Sequence, residues 1–437
     1  MYSSRDASKV SIPIDGHTVD FSAVLLRDSC QCPRCVHEST NQRLFSVADI
    51  PSNIKPRTVQ VDAASDSVNI TWQNDAAGYM ADHTTKLALD ALRNFKSSGA
   101  PSGSRRESFI PHALWSLEPL NLQDYDYNTY MVDDEALYAL MKQLRTSGLA
   151  FVKNSPGLEA TLATIATRIG PIKDTFYGYT WDVRTVPAAI NAAYTSGDLG
   201  FHTDLLYFAQ PPHIQLLHCI QSASTGGASV FADAYKAAVD LFHEDIDAFE
   251  TLTTVPVNYH YNHPNSNVYR TTKPVIGLRP LRIGHSTYTD LRTYIRDRKA
   301  LGAAGGGPES TQDILVDCLD KINWGPPFLA PFSLHEHAME QDDNIGQDAL
   351  PVLNSKVERW HGAAQKFNAL LQRPEYLYER KMGPGDCVLF DNTRTLHSRR
   401  AFDGADIGKP RWLRGTYVDK DPFYSKLRVL RNKFGDA

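Results

Sequence analysis

Gly200-Phe201-His202-Thr203-Asp204 decides how this chain is read, together with Phe390-Asp391-Asn392-Thr393-Arg394-Thr395-Leu396-His397 far downstream. The glycine before it and Leu205-Leu206-Tyr207-Phe208 after it favour an extended segment, in which side chains two apart share a face. His202 and Asp204 can then chelate one ion. Asp386-Cys387-Val388-Leu389-Phe390 opens after Gly383-Pro384-Gly385 as a short buried strand. His397 is expected in the polar stretch beyond its end, where sites are commonly built. Two imidazoles and one carboxylate leave open positions on a metal for a co-substrate and oxygen, the donor set that suits Fe(II) in non-haem oxygenases.

Competing matches fail on local pattern. His243-Glu244-Asp245 has the same spacing, but Val239, Phe242, Ile246 and Phe249 follow helical spacing, on which residues two apart diverge. His260 with His263 and His335 with His337 lack a companion carboxylate in an evident strand and read as surface or packing histidines. A keto-acid co-substrate needs a cation for its distal carboxylate, and Arg pairs with carboxylates in bidentate fashion. In Arg411-Trp412-Leu413-Arg414-Gly415-Thr416-Tyr417-Val418-Asp419, a strand-like run, Arg411 and Arg414 face opposite ways. The pattern leaves both as candidates.

With these residues in place the chain resembles the gamma-butyrobetaine and trimethyllysine hydroxylases within the TauD-like Fe(II)/2-oxoglutarate dioxygenases. The resemblance runs through Leu26-Arg27-Asp28-Ser29-Cys30-Gln31-Cys32-Pro33-Arg34-Cys35, Thr175-Phe176-Tyr177-Gly178-Tyr179-Thr180-Trp181, Ala193-Tyr194-Thr195, Gln215-Leu216-Leu217-His218-Cys219-Ile220, Thr225-Gly226-Gly227 and Ser425-Lys426-Leu427-Arg428-Val429-Leu430-Arg431. It implies iron on His202, Asp204 and His397, and 2-oxoglutarate on Arg411 and near Ser229, with O2 as the other co-substrate. The implied fold is mainly β with flanking helices: a distorted double-stranded β-helix, a jelly-roll relative, following a small zinc-binding, strand-rich amino-terminal domain. A homodimer is implied as well.

For substrate, the resemblance implies aromatic faces at Tyr177, Trp181 and Tyr194 around a trimethylammonium group, with Asn191 helping to orient it. Leu205 departs from the aromatic residue expected after the iron-binding aspartate, and His285-Ser286 stand where an Asn-Asn pair is expected. These departures leave room for another amine, an amino acid or a secondary metabolite. Desaturation or cyclisation stay open beside hydroxylation. The rival readings are a non-catalytic zinc-dependent interaction protein and a zinc hydrolase using the same triad.

The chain has 437 residues, with 45 Lys and Arg against 50 Asp and Glu. That length accommodates two domains, and the mild acidity carries no nucleic-acid or membrane footprint. No apolar run approaches the ~20 residues that span a bilayer, and the first residues lack a signal-peptide core. Asp6 and Asp15 argue against a mitochondrial presequence. A cytoplasmic enzyme acting on a small molecule is the expected class, with a mitochondrial location left open.

Cys30, Cys32 and Cys35 form a Cys-x-Cys-x2-Cys cluster, which in a chain without an export signal suits structural zinc better than disulfides. The family's pattern points to His83 as the fourth ligand, just before a helix with apolar residues Ala88, Ala91, Leu92 and Phe95; His37 is the competitor. Residues 1–97 form the expected amino-terminal domain, in which Thr58–Val61 and Val68–Trp72 could form a hairpin. Gly/Ser/Pro-rich residues place a linker at 98–114, and 115–437 make the catalytic domain. Leu137, Leu140, Met141 and Leu144 predict a helix that Gly148 stops and Leu149–Val152 follow as a strand. Residues 296–312 read as a loop insertion, and Lys356–Leu371 as a helix packed outside the barrel.

Overall fold

Alternation of Val10, Ile12 and Ile14 with polar neighbours makes the first strand, β1 (Lys9–Ile14), which turns at Asp15-Gly16 into the antiparallel β2 (His17–Ser22). Both turn residues have positive φ, 53° and 78°, the conformation that two-residue hairpin turns require and that Asp-Gly supplies. The computed structural model describes residues 9–62, 64–79, 83–97, 110–116, 120–184, 195–284, 286–303, 309–332, 349–403 and 411–435. The chain divides into two compact units between Arg105 and Arg106.

In the first unit β3 (Pro56–Asp62), β4 (Ser67–Trp72) and β5 (Thr84–Ala88) form an antiparallel sheet, which includes the expected hairpin. Ile12, Ile14, Leu26, Ile54, Val68 and Ile70 are buried at its core. His83 precedes strand β5 and not a helix. Thr85 and Leu87 are buried while Thr84, Lys86 and Ala88 are exposed, the period of two that a pairing strand imposes. The helix begins only at Leu89 and runs to Ser97. Its buried side chains are Leu89 and Leu92, and Phe95 is 45% exposed.

Of the expected linker, residues 98–109 lie outside the described residues. Residues 110–114 already pack in the second unit, where Ile110 is buried and the Ala113 amide donates to the Thr146 carbonyl. The helix read from Leu137 to Leu144 spans Asp134–Ser147, capped by the Asp133 side chain and ended by Gly148 at φ 71°.

Strands β6 (Asp124–Asp126), β7 (Leu149–Lys153), β8 (Trp181–Arg184), β9 (Leu199–His202), β10 (Ile214–Gln221) and β11 (Ser229–Asp233) begin the second unit. Between β11 and the closing strands lie the hairpin β12 (Val257–His263) and β13 (Asn267–Lys273), then β14 (Ile276–Leu278), β15 (Leu281–Ile283), β16 (Ser286–Tyr288) and β17 (Leu319–Ile322). The closing strands are β18 (Tyr378–Arg380), β19 (Cys387–Asp391), β20 (Thr395–Arg399) and β21 (Trp412–Val418). They complete a six-stranded sheet ordered β6-β7-β19-β10-β21-β8 and a four-stranded sheet ordered β18-β11-β20-β9.

The inner strands β7, β19 and β10 are largely apolar on both faces because each face has its own cover. Phe151, Val388 and Phe390 point between the sheets, where Phe231 from the smaller sheet meets Phe390 at 5.5 Å and Phe151 at 6.3 Å between ring centroids. Ala150, Val152, Ile214, Leu216 and Leu389 point the other way, under Leu140, Leu144, Ile165 and Leu427 of the outer helices. The fold is the double-stranded β-helix expected, mainly β in its catalytic core with helices flanking it.

Two segments carry more helix than composition suggests. Helices Leu291–Leu301 and Thr311–Cys318 occupy much of 296–312, the second opened by a capping box between Ser310 and Asp313; Gly305–Pro308 lie outside the described residues. The late helix starts earlier, at Ala349, and ends at Leu371 as read. Trp360, Phe367 and Leu371 bury its inner face.

Arg394 and Asp233 form a fully buried pair, with Nε and Nη2 donating to the two carboxylate oxygens at 3.0 and 2.7 Å. Arg394 also donates to the Thr146 and Ala113 carbonyls. Arg394→Met is expected to cost about 3–5 kcal/mol, because it leaves the buried Asp233 carboxylate without its counter-ion and removes the donor to the Ala113 carbonyl. Urea denaturation of the variant against the parent chain measures it.

Candidate functional site

β9 and β20 pair so that His202 and His397 are cross-strand partners, with ring centroids 4.2 Å apart. His397 therefore stands within a strand, not in a loop after β19, because the chain turns back at Asp391–Arg394 and pairs at once with β11 and β9. Asp204 also departs from expectation: β9 ends at His202, and Asp204 sits in the turn that follows. The turn is held from outside. The Asp204 amide donates to Asn392 Oδ1 at 2.8 Å, and Asn392 Nδ2 donates to the carbonyls of Asp204 and Pro212 at 3.1 and 3.0 Å. Thr203, between the two site residues, donates its amide to the Trp324 carbonyl at 2.7 Å and its hydroxyl to the Ile322 carbonyl at 2.9 Å.

The result is a three-donor cluster of His202, Asp204 and His397, whose ligand atoms all lie within 4.8 Å of one another. His202 Nδ1 donates to the Gly200 carbonyl at 2.9 Å, which leaves Nε2 facing Asp204 Oδ1 at 3.2 Å. In the neutral ring two lone pairs then face each other, an arrangement that a shared cation stabilises. His397 Nδ1 is buried with no hydrogen-bond partner. Burial and the neighbouring His202 push the His397 imidazole down to about 3, so it holds the neutral form that ligates metals. Burial pushes the Asp204 carboxyl up, but the adjacent His202 and His397 imidazoles and the Tyr417 hydroxyl outweigh it and hold the group well below the usual carboxylate range. Its Oδ2 accepts from Gln215 Nε2 at 2.6 Å and from the Tyr417 hydroxyl at 2.8 Å, which leaves Oδ1 for the cluster. Gln215 opens one of the stretches that carry the resemblance, but nothing in the sequence assigns it, Tyr417 or Asn392 to the cluster. The only signal in the sequence is a polar residue inside an apolar strand, as with Gln215 in β10.

The cluster opens into a cavity also lined by Tyr177, Trp181, Leu205, Tyr207, Pro327 and Phe328, and by Ser229, Arg399 and Arg411. Arg411 is 7% exposed and lies at the start of β21. No carboxylate pairs with it among the described residues, and burial beside Arg399 pushes its guanidinium down to about 10. Arg414 points away, pairing with Glu159 and with Asp182 and donating to Thr180. The Thr225-Gly226-Gly227 motif makes room for this corner. Both glycines have positive φ, and a Cβ on Gly226 would lie 2.2 Å from the Ala401 carbonyl oxygen, one on Gly227 3.3 Å from Arg411.

Trp181 stacks on Tyr417 at 4.2 Å between centroids and lies 6.2 Å from Tyr177. Gly415 permits that stack, since a Cβ there would come within 2.4 Å of the Trp181 ring. Asn191, Tyr194 and His285 lie outside the described residues. Ser286 is exposed in β16 and is not part of the cavity lining, because its hairpin pairs only with β15.

In the first unit Cys30, Cys32, Cys35 and His83 form a second cluster. The three sulfurs lie 3.5, 3.6 and 3.3 Å from His83 Nε2. His37 is elsewhere, exposed and hydrogen bonded to Ser39. His83 Nδ1 donates to Asp75 Oδ2 at 2.8 Å, and Arg27 Nε donates to Asp75 Oδ1. Arg27 Nη1 also donates to Cys35 Sγ at 3.4 Å, and its guanidinium carbon lies 4.5 and 4.8 Å from the ring centroids of Phe45 and Tyr79. The carboxylate orients the ring and makes its other nitrogen a better ligand, as outer-shell groups do at zinc sites. Burial raises the Cys30 thiol, but hydrogen bonds from His83 and the Cys32 backbone bring it to about 6. The donor set fits a closed structural zinc site.

Purified chain is expected to carry about one zinc, and chelation to unfold the first unit in part, because metal binding there is folding energy. His83→Ala should abolish retention, and Asp75→Asn should weaken it roughly 10- to 100-fold. Competition with a colorimetric chelator measures both; unchanged zinc in His83→Ala would show that the ligand set is wrong.

A family model described as "Taurine catabolism dioxygenase TauD, TfdA family" matches residues 114–417, and one described as "Gamma-butyrobetaine hydroxylase-like, N-terminal" matches residues 3–86. The chain is 32% identical over 419 residues to dioxygenase str8 of Strobilurus tenacellus, covering 93% of this chain and 84% of that protein. It is 29% identical over 426 residues to gamma-butyrobetaine dioxygenase of Pseudomonas sp. (strain AK-1), covering 97% and 94%. To the mitochondrial trimethyllysine dioxygenase of Gallus gallus it is 27% identical over 413 residues, covering 94% and 83%. Geometry and similarity converge: the chain belongs to the TauD/TfdA family of Fe(II)- and 2-oxoglutarate-dependent dioxygenases, with a gamma-butyrobetaine hydroxylase-like amino-terminal module.

Proposed function

We propose that this chain hydroxylates a small amine-containing or quaternary-ammonium carboxylic acid, of which gamma-butyrobetaine is the nearest example. The observation that carries the reading is one cavity holding the His202, Asp204 and His397 donors, Arg411 with no carboxylate partner among the described residues, and the rings of Tyr177 and Trp181. Iron, when bound, supplies oxidative decarboxylation of 2-oxoglutarate by O2 and the oxidising power to attack an unactivated C–H bond. His202, Asp204 and His397 would hold the metal from one side. Arg411 offers a buried cation for the distal carboxylate, with the Ser229 hydroxyl beside it, and fixes the co-substrate's direction. Tyr177 and Trp181 offer ring faces to an ammonium group, and Leu205, Leu217 and Leu413 keep the lining dry. Asn191 and Tyr194 belong to the same proposal through the family's pattern.

Leu205 also supports a second reading, the same chemistry on an amino acid or secondary metabolite, with desaturation or cyclisation as possible outcomes. The family's pattern supports a homodimer. No described helix is long and apolar enough to cross a membrane. The cytosol is the proposed compartment, and the mitochondrial relatives name the other.

Coupled succinate formation and product mass, measured with gamma-butyrobetaine, trimethyllysine and related amino acids, tests the reading. A gain of one oxygen on an ammonium substrate is expected; turnover of uncharged compounds alone would overturn it. His202→Ala, Asp204→Ala and His397→Ala should each stay folded, lose iron and lose turnover, and retained turnover in any of them would show the triad to be misassigned. Arg411→Ala should raise the 2-oxoglutarate requirement by a hundredfold or more, on the order of the ~3–5 kcal/mol that a broken buried charge pair costs. Arg414→Ala, an ion-paired group outside the cavity, should change it little.

A further inference from the structure

Pro327 and Phe328 line the cavity from a segment in which no chemistry was anticipated. They follow β17 in a short 3-10 turn, Pro326–Phe328, and the turn is fixed from several directions. Asn323 donates its amide to the Val275 carbonyl at 2.7 Å and its side chain to the Pro274 carbonyl at 2.8 Å, while the Tyr259 hydroxyl donates to the Asn323 carbonyl at 2.7 Å. Ile322 and Trp324 offer the carbonyls that hold Thr203, between the two site residues His202 and Asp204. Gly325 packs so tightly that a Cβ there would lie 2.8 Å from Leu206 and 3.0 Å from Phe328. The Phe328 ring is thereby set 6.1 Å from the His202 ring and 5.4 Å from that of Tyr207, centroid to centroid.

Among the described residues, the Pro326–Leu329 turn offers this face no free main-chain donor. Pro326 and Pro327 have no N–H. The Phe328 amide donates to the Gly325 carbonyl at 2.9 Å and the Leu329 amide to the Pro326 carbonyl at 3.3 Å. Leu205 adds a second apolar side chain, 2% exposed, next to Asp204. A carboxylate brought here would lose its water without compensation, whereas a hydrocarbon or aryl surface would gain by burial.

We infer that Phe328, with Pro327 and Leu205, is a specificity-determining wall that takes an uncharged hydrocarbon or aryl portion of the substrate, next to the metal-binding histidine. The inference rests on the reading above only in taking this cavity as the substrate's. It departs from a butyrobetaine-like fit in placing an apolar group, and no carboxylate, against the wall.

Calorimetric titration of the full chain loaded with Fe(II) and 2-oxoglutarate, without oxygen, tests this with three probes: gamma-butyrobetaine, (3-phenylpropyl)trimethylammonium and the neutral 4-phenylbutan-1-ol. The aryl ammonium is expected to bind at least about tenfold more tightly than gamma-butyrobetaine. Phe328→Ala should weaken the aryl ammonium by about tenfold and gamma-butyrobetaine by less than about twofold, and Phe328→Leu should restore part of the loss. The 2-oxoglutarate affinity of each variant, measured without probe, reports that the site is still folded. Tighter binding of gamma-butyrobetaine, or equal weakening of both ammonium probes by Phe328→Ala, would overturn the wall. Binding of the neutral aryl probe alone, weakened by Phe328→Ala, would overturn the ammonium reading and support the wall. No binding of any probe would overturn both.

Discussion

His202 and His397 face each other because β20 pairs with β9, and everything else in the site is arranged around that pairing. Cross-strand partners are held by main-chain geometry, so their separation is set by the sheet and not by side-chain choice. The carboxylate has no such support, since the strand ends before it arrives. Asn392 supplies what the sheet does not: from the turn preceding β20 it binds both the amide and the carbonyl of Asp204, tying the third donor to the strand that carries the second. Three donors, two of them neighbours in the chain and the third far downstream, thus depend on one connection, from β19 in the larger sheet to β20 in the smaller, and on one fully buried amide side chain.

The buried guanidiniums separate structure from function. Arg27 is held by Asp75 and two rings, Arg394 by Asp233 and backbone carbonyls, and the half-buried Arg414 by Glu159 and Asp182. A buried charge is costly unless paired. Arg411 is equally buried, yet its neighbours are the Phe402 ring, 5.4 Å from the guanidinium carbon, and a second cation, Arg399. The two glycines at 226 and 227 keep space beside it. An anion entering the cavity that Arg411 lines would complete such an arrangement.

Period and punctuation were sufficient for much of this in the sequence. Asp133, the Leu137-to-Leu144 stripe and Gly148 define a helix by local rules alone, and Cys30, Cys32 and Cys35 announce a metal by proximity. The opposite facing of Arg411 and Arg414 follows from the strand period, although only the ion pairs of Arg414 decide between them. What stayed illegible is what depends on long-range contact. Asp75 supports His83 without any motif, Arg27 stands in a quoted motif that does not reveal its contact with Asp75, Asn392 looks like an ordinary turn residue, and His83 was expected ahead of a helix when β4 draws the next residues into a strand. Ser286 was weighed for the pocket because family patterns align sequences and not space; the wall is instead built at Pro327 and Phe328, in a segment with no titratable group.

Leu205 unites the metal site with the wall. Its φ is +54°, a left-handed conformation that a branched side chain adopts only at a cost of about 1–3 kcal/mol, met elsewhere in the fold. Glycine would hold the same turn without that cost. The Asn392 hydrogen bonds on either side of Asp204 supply the restraint, and the return for the strain is a buried leucine in the cavity lining beside the carboxylate. The backbone there is bent to aim Asp204 at the two histidines. The side chain that follows is apolar and lines the same cavity as Phe328, adding water-excluding surface beside the carboxylate.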